Sequence, residues 1–291
     1  MTDYAYVGKK GTGKSKHAVI RARDHYLKRG KTVATNLDLD LEKMFGPHSK
    51  KTYIRVPDKP SSFDLLAAGH GNPGSYDEDK NGAMILDELG TWMNTRSFND
   101  KDRAGTLDFL AHARKHGWDC YYIMQDVLQV DKQLREAFIE QTCRHVRFDK
   151  VKIPFVGWIL GALFGERYAY CPRFHVAVTR MGTNPQDLVA DRFMYRGQDI
   201  EACYDTRQIF EVNYPHGTYS ALSPWHLKGR FLKPDIEPWW KRVFAKPKKT
   251  KLQPVTKPDP AYARVLAHCK TLPPAEALRI MARYSRSATH S

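Results

Sequence analysis

The sequence predicts an α/β fold with a mainly parallel central sheet flanked by helices, followed by a mixed α+β C-terminal extension. Three observations carry that prediction. A β-prone run, Tyr4-Ala5-Tyr6-Val7, leads into Gly8-Lys9-Lys10-Gly11-Thr12-Gly13-Lys14-Ser15 and then into a helical stretch. Strand-like and helix-like segments alternate through the first 150 residues. A short apolar run, Ala83-Met84-Ile85-Leu86, ends in two acids, Asp87 and Glu88. The spacing G-x-x-x-x-G-K-S/T between a strand and a helix is the phosphate-binding P-loop, which narrows the class to a P-loop NTPase.

The elements follow in chain order. After the loop, residues 14–29 read as a helix and 31–38 as the second strand. Residues 53–56 form a third strand, and 69–81, rich in Gly, Asp and Pro, form a loop. The run 83–86 is a buried strand of the middle of the sheet. Leu107, Leu110, Ala111 and Ala113 set helical spacing over 106–115. Residues 118–124 are a strand ending at Gln125 and Asp126, 133–140 a helix, and 146–148 a strand that closes the sheet. This core spans 1–150. The extension, 151–240, opens with an uncharged apolar segment at 153–165 and continues with alternation over 167–180 that suggests antiparallel strands. Residues 241–260 are a basic Lys/Pro linker, and 261–291 a short helical tail.

The loop spacing has a chemical reason. Glycines let the backbone curl so that successive N–H groups of residues 8–15 converge on an anion, and the following helix adds its positive end. Lys14 is placed to reach the β- and γ-phosphates of ATP, and the Ser15 hydroxyl to take one position on Mg²⁺. Asp87, at the C-terminal edge of its strand, is the second Mg²⁺ ligand, and Glu88 the base that polarises the attacking water. Gln125 ends the neighbouring strand and is placed to sense the γ-phosphate. An arginine completes such a site by neutralising transition-state charge, often from a neighbouring subunit. The candidates are Arg96, Arg103, Arg114 and Arg135, with Arg135 favoured.

Charge points to the kind of partner. The 291 residues carry a formal net charge of +15, unusual for a metabolic enzyme and suited to a polyanion, either nucleic acid or an anionic membrane face. Five widely spaced cysteines without a C-x-x-C argue for free thiols in a reducing compartment and against a disulfide framework or zinc ribbon. The charged loop begins where a signal peptide would need its apolar stretch, so no signal peptide is expected. The segment 153–165 falls short of the about 18–20 apolar residues a span requires. It suits a membrane interface or a buried contact equally well.

The acidic pair, Arg96 after it, the stretch His112-Ala113-Arg114-Lys115-His116-Gly117-Trp118-Asp119, then Gln125 and Leu134-Arg135 resemble, in that order, the zonula occludens toxin (Zot) family. That family includes the filamentous-phage assembly proteins. Tyr204-Asp205-Thr206 and residues 217–224 share the resemblance, which covers roughly residues 1–235. It implies an ATPase of the additional-strand, catalytic-glutamate type, close to hexameric DNA pumps. Its implied task is to drive assembly and extrusion of phage at the bacterial inner membrane. The implied partners are further copies in a ring, phage coat and export-pore proteins, and phage single-stranded DNA. Members commonly carry a transmembrane helix after the ATPase domain. This chain shows no full span, so a cytoplasmic protein peripheral to the inner face of that membrane is expected.

Residues 241–257 hold seven Lys/Arg and no acid, beside Trp239 and Trp240. That composition suits an anionic inner-membrane surface, nucleic-acid phosphates or a solvated linker. Two other functions stay open on sequence grounds: a double-stranded DNA translocase or packaging ATPase, and a nucleotide-binding scaffold with little turnover. The acidic pair speaks against the scaffold, since a switch needs no dedicated base.

Overall fold

The protein is described by a computed structural model. It describes residues 3–233 apart from 75–76, 94–99, 131–134, 137, 150, 155–161, 164, 166–169 and 212–213, and not the side chains of 100–103. Most of the apolar segment 153–165, Arg96, Trp239 and Trp240, the basic linker and the tail therefore lie outside the described residues.

Six parallel strands make the middle of one nine-stranded sheet. They are β1 (Tyr4–Val7), β2 (Val33–Thr35), β3 (Tyr53–Arg55), β4 (Gly82–Leu86), β5 (Trp118–Ile123) and β6 (Gln141–Arg147). Three antiparallel strands extend its edges: β7 (His175–Met181) and β8 (Val189–Tyr195) beyond β6, and β9 (Tyr219–Ala221) beyond β3. The order is β8-β7-β6-β1-β5-β4-β2-β3-β9. β5 thus lies between the P-loop strand and the acid-bearing strand.

Alternation within the strands explains the layers. Met84 and Leu86 of β4, with Cys120 and Tyr122 of β5, pack on one face with Trp92, Phe109 and Leu110. Ala83 and Ile85, with Tyr121 and Ile123, pack on the other with Ala18, Val19 and Ile20. Both faces are buried, so the strands read as continuous apolar runs. The described helices include α1 (Lys14–Arg21), α2 (Leu41–Phe45), α3 (Ser62–Ala67), α4 (Leu89–Trp92), α5 (Asp100–His112), α6 (Gln198–Glu201) and α7 (Pro224–Leu227). Helical backbone continues from α1 to residue 29, as π-helix over Ala22–Tyr26 and 3-10 helix over Leu27–Arg29. The start of α3 is fixed by a capping box between Ser61 and Asp64.

Three expectations differ from the structure. The strand read at 146–148 begins at Gln141 and does not close the sheet, because β7 takes its free edge. Only residues 135 and 136 of the expected helix 133–140 are described as helical, and 138–140 are not. The second strand is shorter than 31–38, because Asn36 and Leu37 turn out of the sheet. Among the described residues no helix is long and apolar enough to cross a membrane.

Candidate functional site

Parallel strands bring their C-terminal ends to one edge, and the chemistry-bearing residues follow directly from those ends. Val7 ends β1 and Gly8 begins the loop, Leu86 is followed by Asp87 and Glu88, Ile123 by Met124 and Gln125, and Thr35 by Asn36. They converge on a cavity of about 570 Å³ that is lined by Lys10, Gly11, Gly13, Lys14, Ser15, Asp87, Glu88 and Gln125.

The loop owes its shape to left-handed backbone at Gly11 (φ 75°) and Gly13 (φ 91°). A Cβ on Gly13 would lie 2.8 Å from His175 Nδ1 and 2.9 Å from the Tyr195 hydroxyl, so glycine is required sterically as well. The loop carbonyls find donors outside the curl. His175 Nδ1 donates to Thr12 O at 2.8 Å and the Tyr195 hydroxyl to Gly13 O at 2.8 Å. Lys14 Nζ donates to Gly8 O at 2.8 Å, and Gly8 N to Gln125 O at 3.1 Å, which ties the loop to the end of β5. Burial lowers the Lys14 pKa, opposed by the nearby Asp87 and Glu88 charges.

The Ser15 hydroxyl donates to Asp87 Oδ2 at 2.5 Å. Burial pushes the Asp87 carboxyl up, countered by that hydroxyl and by the Glu88 N–H on Oδ1 at 2.7 Å. Asp87 is further clamped by fully buried Asn36. Asn36 Oδ1 accepts from Asp87 N at 2.8 Å, and Asn36 Nδ2 donates to Asp87 O and to Asp58 O at 3.0 Å each. Glu88 is exposed, and its φ of 53° makes it the sole left-handed non-glycine among the described residues. Such backbone costs about 1 kcal/mol or more and collects at functional sites. It turns the chain so that Leu89 starts α4 while the Glu88 side chain stays at the cavity.

This donor set fits a nucleotide with a divalent cation. A hydroxyl and a carboxylate oxygen already in contact are hard oxygen ligands, and Lys14 Nζ, held on Gly8 O and Lys9 O, puts a cation at the loop. Gln125 borders the cavity. Arg135 lines a second groove on the other side of the loop, together with Lys9, Lys10, Gly11, Thr12 and Gln125. Arg114 pairs with Glu78 and does not line the cavity. Arg96 and the Arg103 side chain lie outside the described residues.

Residues that sequence reading passed over complete the site. Asn36 carried a usable signal, a polar residue at the end of an apolar strand, the same cue that marks Gln125. His175, Tyr195, Arg147 and Glu201 carried none, because they come from three strands and a short helix more than 120 residues downstream of the loop. Beneath the loop, Arg21 Nε donates to His17 Nε2 (3.5 Å), His17 Nδ1 to His145 Nε2 (2.9 Å), and His145 Nδ1 to Val7 O (3.2 Å). This chain gives every ring nitrogen of the pair a partner, although Cys143 stands close enough to make a three-ligand metal cluster. Burial holds both histidines well below the usual imidazole range, hence neutral.

Comparison with known proteins adds identity to this geometry. The family model described as "Zonular occludens toxin (Zot)" matches residues 4–156. The Gene 1 protein of Enterobacteria phage M13 is 43% identical over 237 residues, covering 80% of this chain and 67% of that protein. The Gene 1 protein of Escherichia phage If1 is 43% identical over 234 residues, covering 79% and 65%. The chain therefore spans about two thirds of the length of these relatives. The solved N-terminal domain of zonular occludens toxin from Neisseria meningitidis overlaps 70% of this chain and 100% of its own, with 14% identity and a TM-score of 0.41, too loose to add to the assignment. On the family match and the phage relatives, the chain belongs to the zonular occludens toxin (Zot) family.

Proposed function

We propose that this chain is an ATP-hydrolysing motor that drives assembly and extrusion of filamentous phage at the bacterial inner membrane. The observation that carries the ATPase reading is the Ser15–Asp87 contact at 2.5 Å, with Glu88 adjacent and Lys14 lining the same cavity. The assembly role rests on membership of a family whose relatives here are phage Gene 1 proteins.

The chain's own groups have separate tasks. Loop N–H groups of residues 8–15 and Lys14 bind the β- and γ-phosphates. Ser15 and Asp87 would hold Mg²⁺, which would supply charge neutralisation at the phosphates. Glu88 takes a proton from water as its oxygen attacks the γ-phosphorus, and the bond to the β–γ bridging oxygen breaks, leaving ADP and phosphate. Gln125 orients that water, and Arg135 serves a neighbouring copy in a ring. Coat and export-pore proteins, phage single-stranded DNA and the anionic membrane surface are the proposed partners.

The test is ATP turnover of the wild type and of Glu88→Gln, with oligomeric state followed with and without nucleotide, anionic vesicles, single-stranded DNA and double-stranded DNA. Loss of a general base predicts a fall of about 10²–10⁴-fold with ATP binding retained. A variant that keeps more than about a tenth of wild-type turnover removes Glu88 from this role. Stimulation by vesicles favours the membrane motor, and stimulation by double-stranded DNA alone favours a packaging translocase.

A further inference from the structure

The geometry points to Arg147 as a contact to the phosphate chain of the nucleotide, supplied from the same chain and positioned by Asp149. The inference rests on the nucleotide-binding reading above. Alternation along β6 sets the direction. Cys143 and His145 face inward beneath α1 and are buried, whereas Arg144 and Val146 are exposed on the other face. Arg147 continues the inward row. It pairs across the ladder with His175, whose ring donates to the P-loop carbonyl of Thr12. The last residue of the row therefore passes beyond the end of α1 and arrives at the loop itself.

Distances agree with this direction. Arg147 Nη1 lies 3.8 Å from where a Cβ on Gly11 would stand, and among the described residues no other atom outside residues 10–12 comes within 4 Å of that point. Gly11 opens the space that the guanidinium enters. Arg147 also lines both the cavity with Asp87 and Glu88 and the groove on the other side of the loop. Asp149 accepts from Nε and Nη2 together, a fork that locks the planar group, and Nη1 has no acceptor among the described residues. The pairing holds the Asp149 carboxyl below the usual carboxylate range. A locked arginine with one donor edge turned to a phosphate loop matches the chemistry of bidentate, charge-assisted phosphate recognition. Arg135, with Glu136 beside it at 4.0 Å, lines the second groove alone. An arginine for a neighbouring copy and one for the chain's own nucleotide are compatible roles.

The experiment compares the full chain with Arg147→Ala, Arg147→Lys, Asp149→Asn and Lys14→Ala. It measures fluorescent ATP and ADP analogue affinity, KM and kcat for ATP, and melting temperature. Losing a charge-assisted contact predicts a roughly 10- to 100-fold loss in affinity or kcat for Arg147→Ala. Arg147→Lys should recover part of it, and Asp149→Asn should show a smaller loss. A loss for ATP with ADP unaffected identifies the γ-phosphate, and a loss for both identifies the β-phosphate. Arg147→Ala within about twofold of wild type in affinity, KM and kcat, with Lys14→Ala inactive, overturns the arginine assignment and leaves the functional reading standing. Equal melting shifts for the Arg147 and Asp149 variants with unchanged kinetics overturn it too, since the pair is then purely structural. Wild type indistinguishable from Lys14→Ala in nucleotide binding removes the functional reading, and this assignment with it.

Discussion

Asn36→Ala isolates the clamp that holds the acidic motif. The side chain is fully buried and serves three backbone groups: Asp87 N at 2.8 Å, Asp87 O at 3.0 Å and Asp58 O at 3.0 Å. Truncation orphans the Asp87 N–H, at about 1–3 kcal/mol for a buried unsatisfied donor. The carbonyls lose less, because an oxygen has two lone pairs and Asp87 O keeps Trp92 Nε1 at 3.4 Å. Neither end can relax easily. Asp58 is held by fully buried Arg55 at 2.6 Å, and Asp87 by Ser15. The summed cost is therefore about 2–4 kcal/mol. For a domain of this size that is a melting shift of roughly 4–16 °C. Turnover should fall at least about tenfold besides, since the carboxylate that faces Ser15 loses its backbone anchor. Urea titration and a thermal melt give the first number, and steady-state ATP turnover the second. Asn72→Ala is the control: a half-buried loop asparagine with one side-chain bond, to Asp77 O, expected to stay within about 1 kcal/mol. If Asn36→Ala matches that control in both measurements, the claim that Asn36 positions Asp87 is wrong.

Two further perturbations probe the loop and what lies beneath it. Gly13→Ala must place a Cβ at φ 91° against His175 and Tyr195, and should cost about 1–3 kcal/mol and abolish nucleotide affinity; a stable variant with wild-type affinity contradicts the geometry. His17 and His145 are neutral in the fold, because burial lowers their pKa values from the ordinary histidine value near 6.5. Their contribution is thus present above about pH 6.5 and lost as pH falls, by roughly 1.4 kcal/mol per histidine per unit. His17→Phe, whose ring can stay stacked between Tyr6 and Phe193, should flatten the fall in urea stability between pH 6.5 and 5 by about 1.4 kcal/mol per unit; an unchanged slope refutes the buried neutral pair.

What was legible in the sequence was local. The P-loop frame, the acid-ended β4 and the Gln-ended β5 could be read because each is a contiguous pattern with a chemical reason. Three short helices, α2, α3 and α4, were passed over, since four to six residues hold too little periodicity to register. β6 was read only at its end because its inward row, Cys143, His145 and Arg147, is not apolar, so the alternation that marks a half-buried strand is hidden. The row is polar because it lies under the loop, where a histidine chain and an arginine are placed instead of aliphatic packing. Local rules failed where the site imposes its own chemistry.

The same reasoning explains why the site could not be complete within the P-loop segment. A loop that turns its N–H groups toward phosphate necessarily turns carbonyls away from it, and each needs a donor of its own. Lys14 and Thr12 satisfy Gly8 O and Lys9 O locally. Thr12 O finds no donor within the motif among the described residues, and Gly13 O, which accepts from His17 N at 2.9 Å, keeps a second lone pair for another donor. The antiparallel strands after residue 150 supply those donors as His175 and Tyr195, whose rings stack at 5.2 Å. The shape of the cradle is therefore set from two directions, by glycines whose spacing announces it and by β7 and β8, whose register does not. A change in the β6–β7–β8 ladder would reach the phosphates through two hydrogen bonds. The β7–β8 edge of the sheet is thereby tied directly to the loop.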